Sequence, residues 1–502
     1  MLNLVGVESE VPVQVTKGDK VWPAATSAGL MVDAICGLGG ERVRKGDHWY
    51  CPDLESSGGR FLVNGARVYV DHDLLEYATP ECITTLDAVA AVRAGDRLVR
   101  AAASKVEEAT GGRVLAIRNN VDGPGTASYG LHVNVRMSRA GFDRIFADRD
   151  LLPGFIAPFF VTLPILCGAG SLVHTDRGTH YVTWQRARFI KELVAWQTTV
   201  DRPLVCERDE PLAADPERYA RFHIIAFDAN ICEVAEFLKL GTLRLLCAAI
   251  DAEADLVDIP LEDPIAAVRR VARNPTSPLR LASGKTMRPL EIQETYLDAF
   301  SRLNEQGAFA GRVPDASHIL KTWRRALTIF RRDPMDLVGS VDWVTKLAWL
   351  EQFRKRHGLR WTDPRLRWLD LQYHAISGPD VPHIPSRRLL TDEQVTGLIT
   401  RPPMGSRAAL RSALLERFGD EIRYATWHRI VTADRNESYL FPDDPPMEAV
   451  ERTRHARTLK EAARAADLRT AQQQDSVDPI VVLSVPSAQS TPRGMDRAAG
   501  TD

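Results

Sequence analysis

Two acids near the start of the chain have the residue types and the spacing that metal chemistry needs. Glu8 and Glu10 are separated by one residue. In a β-strand such residues point to the same face, so the two carboxylates would project side by side. Like charges at that separation repel unless a cation lies between them, and hard divalent cations such as Mg²⁺ take oxygen ligands. From the spacing alone, two solvent-facing acids on an edge strand remain the simpler interpretation.

A second group of polar residues lies in the second half of the segment 64–71. Arg67, Tyr69 and Asp71 would share one face of a strand, and Glu76 follows five residues after Asp71. An acid at the end of a strand, with a second acid nearby, can act as a nucleophile or base beside a metal ligand. A helix-capping aspartate and a surface glutamate are the alternative interpretation.

The third group lies in the glycine-rich segment 119–134. Glycines and polar residues at this density indicate backbone that approaches a ligand closely. His132 and Asn134 would share a face of the strand that follows. A turn followed by a hydrogen-bonded core histidine would leave the same pattern.

A fourth group combines two arginines with a histidine. Arg208, Arg221 and His223 lie in neighbouring segments of the chain. The planar fork of arginine suits phosphate or carboxylate binding. Surface ion pairs, which are common and contribute little, account for the arginines equally well.

The surrounding elements predict an α+β fold, in which a large sheet carries packed helices. Residues 1–15 alternate like a strand, and Asn64-Gly65 is typical of a turn between two strands. Residues 86–110 and most of 290–374 have helical spacing, whereas 113–118 and 128–137 resemble strands. The polar residues 41–59 predict a hairpin or loop.

Composition excludes several classes of protein. The 502 residues are 44% hydrophobic, and 64 basic against 66 acidic residues give a net charge of −2, which argues against nucleic-acid binding. Seven scattered cysteines without a CxxC pair predict reduced thiols in a cytoplasmic protein. The apolar stretch 154–169 contains two prolines and is too short for a membrane span, so we expect buried core and no membrane partner. The segment SGKT at 283–286 lacks the earlier glycine of a phosphate-binding loop.

Ten segments, taken in order along residues 4–470, resemble one family: the Pup ligases and the depupylases or Pup deamidases. Its members have a carboxylate–amine ligase fold related to glutamine synthetase. The most informative segments are GVESEV at 6–11, FLVNGARVYVDHDLLEYATPEC at 61–82, NNVDGPGTASYGLHVN at 119–134, DRPLVCERDEP at 201–211, YARFHIIAFDAN at 219–230 and LDLQYH at 369–374.

This resemblance implies a large, curved and mostly antiparallel sheet that forms a cradle for ATP and Mg²⁺, with packed helices and a small C-terminal domain. It implies a catalytic domain at 1–388 and a small domain at 389–470. Residues 471–502 are rich in Ser, Pro, Ala and Asp, a composition that predicts a disordered tail. The implied partners are a Pup-like small protein modifier and its lysine conjugates.

The resemblance also assigns roles to individual residues. Asp71 matches the catalytic aspartate. The positions that match metal ligands are Glu8, Glu10, Glu76 and His132. The positions that match the lining of the nucleotide site are Tyr69, Asn134, Arg208, Arg221 and His223.

The direction of the reaction follows from finer features of the same resemblance. The pair Asp71-His72 resembles the depupylases, whereas ligases generally lack this histidine. We therefore expect an ATP- and Mg-dependent hydrolase acting on the side-chain amide or isopeptide of a modifier's C-terminal Gln or Glu. Val133, Leu212 and Ala375 depart from the family pattern. A ligase acting through a glutamyl phosphate, and a non-catalytic module that binds a Pup-like protein, remain as alternatives.

Overall fold

A computed structural model describes eight stretches of the chain: 1–38, 60–122, 125–176, 178–199, 202–378, 381–434, 437–445 and 447–470. The predicted loop at 41–59 and the predicted tail at 471–502 lie outside the described residues.

The described residues form strands and helices that alternate irregularly along the chain. The strands are β1 Val5–Val11, β2 Val13–Lys17, β3 Lys20–Val21, β4 Arg60–Phe61, β5 Arg67–Asp71, β6 Leu74–Ala78, β7 Arg113–Ile117, β8 Leu131–Ser138, β9 Ser171–Thr175, β10 Gly178–Val182, β11 Ile190–Ala195, β12 Arg202–Cys206, β13 Tyr219–Ile224, β14 Leu279–Arg280, β15 Thr286–Met287, β16 Ala375–Ser377, β17 Ile422–Ala425, β18 Arg429–Thr432, β19 Ser438–Leu440 and β20 Arg469–Thr470. The helices are α1 Ala24–Leu38, α2 Thr85–Thr110, α3 Arg139–Ala147, α4 Ala157–Thr162, α5 Pro164–Cys167, α6 Glu233–Asp251, α7 Pro264–Arg273, α8 Pro289–Glu305, α9 Ala316–Arg332, α10 Asp342–Arg356, α11 Pro364–Gln372, α12 Asp392–Thr400, α13 Arg407–Phe418, α14 Met447–His455 and α15 Leu459–Ala465.

The main sheet has six antiparallel strands in the order β13-β8-β1-β6-β5-β4. Strand β1 is central, and its valines are buried while Gly6, Glu8 and Glu10 are partly exposed. Pro12 separates β1 from β2, which joins a second antiparallel sheet, β16-β7-β2-β3. The alternating stretch at 1–15 is thus two strands in two sheets. The predicted α+β fold with a mostly antiparallel sheet is confirmed.

Helix α2 connects the two apolar cores under these sheets. Its first half packs with β1 and β8, and its second half packs with β2 and β7. The Thr84 hydroxyl accepts a hydrogen bond from the Asp87 backbone N–H, and Gly111 ends the helix in the left-handed conformation. These caps set the two ends of α2, and its buried side chains hold it against the apolar side of the main sheet, beneath the polar face of β1.

The apolar stretch at 154–169 is buried core, as predicted. It begins inside a single π-helical turn at Leu152–Ile156 and continues through α4 and α5, whose residues are all buried. Among the described helices none is long and apolar enough by itself to cross a membrane. One pair, Arg139–Ala147 with Leu152–Cys167, meets the length and composition criteria together but is bent by 94°.

Helices α13–α15 and strands β17–β20 surround an apolar cluster of their own. This C-terminal unit packs against the turn at Asn64-Gly65, where a Cβ on Gly65 would lie 2.9 Å from Cβ of Ala408. Gly65 also has a φ of 79°, which glycine adopts readily. Val395 of α12, by contrast, lies in the main core. The division at 388/389 stays a prediction.

Candidate active site

The register of the main sheet gathers acids from three strands on one face. Glu8 lies opposite His132 of β8, and Glu10 lies opposite Glu76 of β6. Tyr69 of β5 in turn lies opposite Glu76. Because directly opposed residues in antiparallel strands are close neighbours, β1 fixes the distances within the site.

Glu10, Asp71 and Glu76 form the first group of potential metal ligands. One carboxylate oxygen from each lies within 4.8 Å of the others. The Tyr69 hydroxyl donates a hydrogen bond of 2.6 Å to Glu76 Oε1.

Asp71 owes its place in this group to the turn that follows it. His72 and Asp73, with φ of 43° and 69°, form the two-residue connection between β5 and β6. Two residues with positive φ are the signature of a type I′ hairpin, which matches the twist of the paired strands. His72 Nδ1 lies 3.0 Å from Asp71 Oδ2. Asp71 is therefore held at the tip of a hairpin while its side chain remains 42% exposed.

Glu8, His132 and His223 form the second group, which also converges within 4.8 Å. His132 Nδ1 lies 3.1 Å from Glu8 Oε2, and the two histidine rings meet edge to face at 4.8 Å. His223 Nδ1 contacts Asn134 Oδ1 at 2.8 Å. This second group was not expected as a set, because His223 was predicted to line the nucleotide site.

The two predicted arginines occupy different depths. Arg221 Nη1 donates to Asn134 Oδ1 at 3.1 Å and to Glu8 Oε1 at 3.5 Å. Its Nη2 donates to Glu210 Oε2 at 3.1 Å. Arg208 also binds Glu210, and its guanidinium lies over the ring of the exposed Trp196 at 5.6 Å. Arg221 is therefore part of the site, and Arg208 lies at its rim.

The pKa values of the two central acids shift in opposite directions. Burial opposes ionisation of Glu8, but the hydrogen bond with His132 and the charges of His223 and Arg221 outweigh it and hold its pKa well below the usual range. Burial and the charges of Glu8 and Glu10 raise the pKa of Glu76 well above its usual range. The site therefore combines one stabilised carboxylate with one that lacks compensating positive charge.

The donor set of the first group fits a hard divalent cation. Glu76 is 3% exposed, and the ion pairs of the described residues join neither Glu76 nor Asp71 to a lysine or arginine. A buried carboxylate beside two others is costly without a balancing positive charge. All three residues offer oxygen atoms, which Mg²⁺ prefers. The histidine-containing second group suits Mg²⁺ less and a borderline metal more.

Gly130 brings the glycine-rich segment against the acids. Its backbone N–H donates to Glu10, and a Cβ at this position would lie 2.5 Å from both Glu10 Oε1 and His132 Nε2. Any side chain here would therefore displace the acids. Sequence analysis placed Gly130 in a ligand-binding segment but did not single it out.

An apolar cavity opens beside Glu8, between the main sheet and the C-terminal unit. Its lining combines residues of β1, β6, β8, β13, the segment 211–213 and the C-terminal unit. Glu8, Asn134 and Arg221 line it on the side of the acids, and Trp427 lies in its wall. The other charged residues of the lining are Glu81, Arg136, Arg407 and Asp443. Sequence analysis missed Trp427, because no motif identifies a lone aromatic residue far along the chain.

The three departures from the family pattern lie in different surroundings. Val133 is 1% exposed and points into the core, so the alternation of β8 leaves His132 and Asn134 together on the site face, as predicted. Leu212 has a φ of 49° and lines the cavity. Ala375 lies in β16, in the second sheet.

The acid-lined antiparallel sheet with a cavity at one end, together with the match to solved structures given below, places the protein in the class with a glutamine synthetase-like fold. The family model described as "Pup-ligase protein" matches residues 6–431, and the chain belongs to that family.

Two curated relatives have similar identities but different activities in their names. A Pup deamidase/depupylase of Mycolicibacterium smegmatis is 37% identical over 393 residues, which are 76% of each chain. A Pup–protein ligase of Acidimicrobium ferrooxidans is 37% identical over 410 residues, 78% of this chain and 87% of the relative. The family is thus shown, whereas sequence identity does not separate hydrolase from ligase.

Two solved structures share the fold. The complex of the prokaryotic ubiquitin-like protein Pup with its ligase PafA matches with a TM-score of 0.75 at 27% identity, covering 93% of this chain and 91% of that one. The ligase PafA in complex with ADP matches with a TM-score of 0.69 at 29% identity, covering 83% and 90%.

Proposed function

We propose that this chain is an ATP- and Mg-dependent hydrolase of the depupylase and deamidase type. Its substrate would be the side-chain amide or isopeptide of the C-terminal Gln or Glu of a Pup-like modifier. The observation that carries the proposal is Asp71, held by a tight turn at the edge of the acidic groups with His72 in contact. Both the depupylase and the ligase names among the relatives are consistent with this substrate class.

The cavity beside Glu8 is the proposed site of the nucleotide base. Its apolar walls and Trp427 suit an aromatic ring, and its polar end meets the acids. The phosphates would then extend towards Arg221 and the first metal-ligand group. The ADP complex of a solved relative supports nucleotide binding.

Glu8, Glu10 and Glu76 would hold Mg²⁺ in this arrangement, which leaves Asp71 for catalysis. Glu10 and Glu76 come from the first group, and Glu8 comes from the second group but is near enough for its charge to raise the pKa of Glu76. When bound, the ion supplies positive charge that neutralises the phosphates and orients them. Arg221 contributes a second positive charge and is itself fixed by Glu210 and Asn134. Tyr69 orients Glu76 through its hydrogen bond. His132 and His223 lie next to Glu8 and form one edge of the site.

Asp71 is the proposed catalytic residue. Its carboxylate would act at the glutamyl carbonyl, either as the nucleophile or as the base that takes a proton from water. In both roles the C–N bond breaks, the amine leaves with a proton, and water supplies the hydroxyl of the product acid. The 42% exposure of the Asp71 side chain gives a substrate access to it.

The decisive experiment measures cleavage of an isopeptide-linked Pup–lysine reporter by the full chain with Mg-ATP. We compare wild type with Asp71→Asn and with Asp73→Asn, a control in the same turn. We expect nucleotide-dependent release of lysine in wild type and Asp73→Asn, and its loss in Asp71→Asn with nucleotide binding retained. Full activity of Asp71→Asn would contradict the proposed role.

The ligase is the second candidate function, because a Pup ligase is the structural relative with a TM-score of 0.75. A ligase would join the modifier's glutamate to a substrate lysine in the presence of ATP and would leave the isopeptide reporter uncut. Assaying both reactions with one preparation separates the two directions. We also propose a cytoplasmic location, in line with the six described cysteines, which are all free thiols.

A further inference from the structure

A strongly basic stretch of the chain covers helix α7 and the short hairpin β14–β15. Residues 264–290 contain six basic residues and no acid, whereas the rest of the chain, with 58 basic and 66 acidic residues, has a net charge of −8. All six basic side chains are exposed, and we call them the α7 basic surface: Arg269, Arg270, Arg273, Arg280, Lys285 and Arg288. Positive charge is therefore concentrated in one part of an otherwise acidic molecule.

Most of these cations lack an acidic partner among the residues that the structure describes. Within the α7 basic surface the ion pairs join only Arg280 to an acid, Glu262, at 3.1 Å. The exposed cations of α9 differ, because three of them form ion pairs with neighbouring acids: Arg324, Arg331 and Arg332. The positive potential of the α7 basic surface is therefore not balanced by its own surroundings.

The hairpin is held beside α7, so that the cations stay together. The valines of α7 are fully buried in the main core, which leaves the arginines on the outer side of the helix. Arg270 Nη1 donates to the Pro278 carbonyl at 3.3 Å, just before the hairpin. The backbone N–H of Glu262 donates to the Arg280 carbonyl at 3.0 Å. These contacts make the α7 basic surface a continuous part of the fold.

A neighbouring histidine responds to this charge. His180 lies in β10, and α7 packs against that strand. Burial, and next the charge of Arg273, lower the pKa of His180. The potential beside α7 therefore disfavours a further positive charge and favours an anion.

A short 3₁₀ turn at Arg186–Phe189 connects α7 to the candidate active site. Helix α7 packs against this turn, and Arg186 is near enough to Glu10 for the two charges to interact. The buried carboxylate of Asp228 fixes the start of the turn by accepting hydrogen bonds of 2.8 to 3.1 Å from three backbone N–H groups, those of Ala169, Gln185 and Arg186. The α7 basic surface therefore has a fixed position beside the site, on the outside of the molecule.

The chemistry of the surface favours an acidic polypeptide over a nucleic acid. Residues 264–290 contain no aromatic side chain on which a base could stack. The net charge of −8 on the rest of the chain would repel a long polyanion that extended past the surface. A short run of Asp or Glu residues would meet the cations without this repulsion.

We propose that the α7 basic surface docks an acidic segment of the target protein whose lysine is joined to the modifier. Flexible, exposed cations recognise charge rather than one sequence, which suits a partner that varies. In the proposed reaction the modifier is constant, whereas the proteins that carry it differ. This inference rests on the proposed function, because it assumes that a modified lysine is brought to Asp71.

The first test measures binding of a labelled decaglutamate peptide to the full chain by fluorescence anisotropy, at low and at high salt. We compare wild type with the triple variant Arg273→Gln/Lys285→Gln/Arg288→Gln, whose side chains make none of the contacts that hold the hairpin. Loss of three exposed ion pairs should weaken binding about ten-fold at low salt, and high salt should remove the difference. Unchanged affinity in the triple variant would overturn the proposal.

A second triple variant is the matched control. Lys321→Gln/Arg324→Gln/Arg325→Gln removes three exposed cations of α9 and changes the net charge by the same amount. It should bind decaglutamate like wild type, and an equal loss of affinity there would show that only net charge matters and would contradict a local docking site. A single-stranded RNA that binds wild type as tightly as decaglutamate, and depends on the same three cations of the α7 basic surface, would assign the surface to nucleic acid instead.

The second test separates docking of the target from hydrolysis. Two isopeptide-linked Pup–lysine reporters differ only in the lysine-bearing peptide, which continues into a run of glutamates or into a Gly-Ser run of equal length. Wild type should have a KM about ten-fold lower for the acidic reporter with kcat unchanged, and the α7 triple variant should lose this difference. Equal KM values in wild type would overturn the proposal. If neither reporter is cut, the hydrolase proposal fails, and the dissociation constants of the two reporters replace KM in the same comparison.

Discussion

Replacing Glu81 by glutamine should weaken the junction between the catalytic sheet and the C-terminal unit. Glu81 follows β6, and its two carboxylate oxygens bind Arg407 at 2.7 Å and Arg411 at 2.8 Å, both from α13. The Arg411 side chain is fully buried, and its guanidinium lies over the rings of Phe61 and Trp427. Without the carboxylate, Arg411 is a buried cation with no acidic partner among the residues that the structure describes.

The size of the effect follows from the environment of Glu81. Burial opposes its ionisation, but the charges of Arg411 and Arg407 outweigh burial and lower its pKa from 4.5 to about 2. Since one pKa unit corresponds to about 1.4 kcal/mol, the folded state gains about 3 kcal/mol from the ionised group. Removing one partner of a buried ion pair costs about 3–5 kcal/mol. We therefore expect Glu81→Gln to lose about 3 kcal/mol of unfolding free energy at neutral pH.

The assay is urea unfolding followed by circular dichroism at several pH values. A group whose folded pKa is depressed stabilises the protein above its unfolded pKa, and this stabilisation disappears as the pH falls through the folded pKa. The difference between wild type and Glu81→Gln should therefore be complete above pH 4.5 and shrink towards pH 2. Glu416→Gln, on the exposed side of α13, is the control and should match wild type throughout.

Two results would refute this reasoning. One is a Glu81→Gln variant as stable as wild type at neutral pH. The other is a loss of stability that stays the same from neutral pH down to the folded pKa, because a pH-independent loss indicates altered packing. A double variant with Arg411→Met should recover part of the lost stability, since it removes the unpaired cation.

Three shorter predictions concern the site and its support. Gly130→Ala should weaken Mg-nucleotide binding more than about ten-fold in calorimetric titration, because the new methyl group displaces Glu10 and His132. Trp427→Ala should weaken nucleotide binding about two-fold to ten-fold in the same titration, as expected for loss of one aromatic contact. Asp228→Asn should lower the unfolding free energy by about 1–3 kcal/mol in urea titrations, since an amide meets the three backbone N–H groups with one acceptor oxygen.

Each of these variants has a control of the same chemistry elsewhere in the chain. Gly29→Ala in α1 meets no atom within 4 Å and should bind nucleotide normally. Trp368→Ala removes an exposed tryptophan of α11 and should leave nucleotide affinity unchanged. Asp150→Asn replaces an exposed acid and should unfold like wild type. If a control variant loses as much affinity or stability as the matching site variant, the loss reflects the type of substitution and not the position.

Local patterns in the sequence were sufficient to predict the strands that carry the acidic residues of the site. The alternation around Glu8 and Glu10, and the turn at Asn64-Gly65, correctly predicted strands, because side-chain direction in a strand depends only on odd and even positions. The same rule correctly assigned Val133 to the face of β8 opposite His132. The resemblance then supplied the fold and the family, which no single motif could establish.

What depends on strand order could not be predicted from the residues themselves. His223 joins Glu8 and His132 because β13 pairs with β8, a partnership between segments about 80 to 90 residues apart. Trp427 likewise reaches the cavity from the C-terminal unit. Such long-range pairings are set by the whole fold, and no local spacing encodes them.

Because β1 is central in the sheet, its register with the neighbouring strands is more important than any one of its residues. The strand is hydrogen-bonded on both sides, and side chains change face at every position. Deleting Val11 would leave both acids on the site face. Deleting one residue before Glu8 would shift the register of the strand by one position and turn both carboxylates towards the apolar core. The chain would then still contain both acids, but they would no longer form a metal-binding group on the site face. A one-residue deletion scan along this strand should therefore abolish activity at each position before Glu8 and retain it after Glu10, whatever residue is removed.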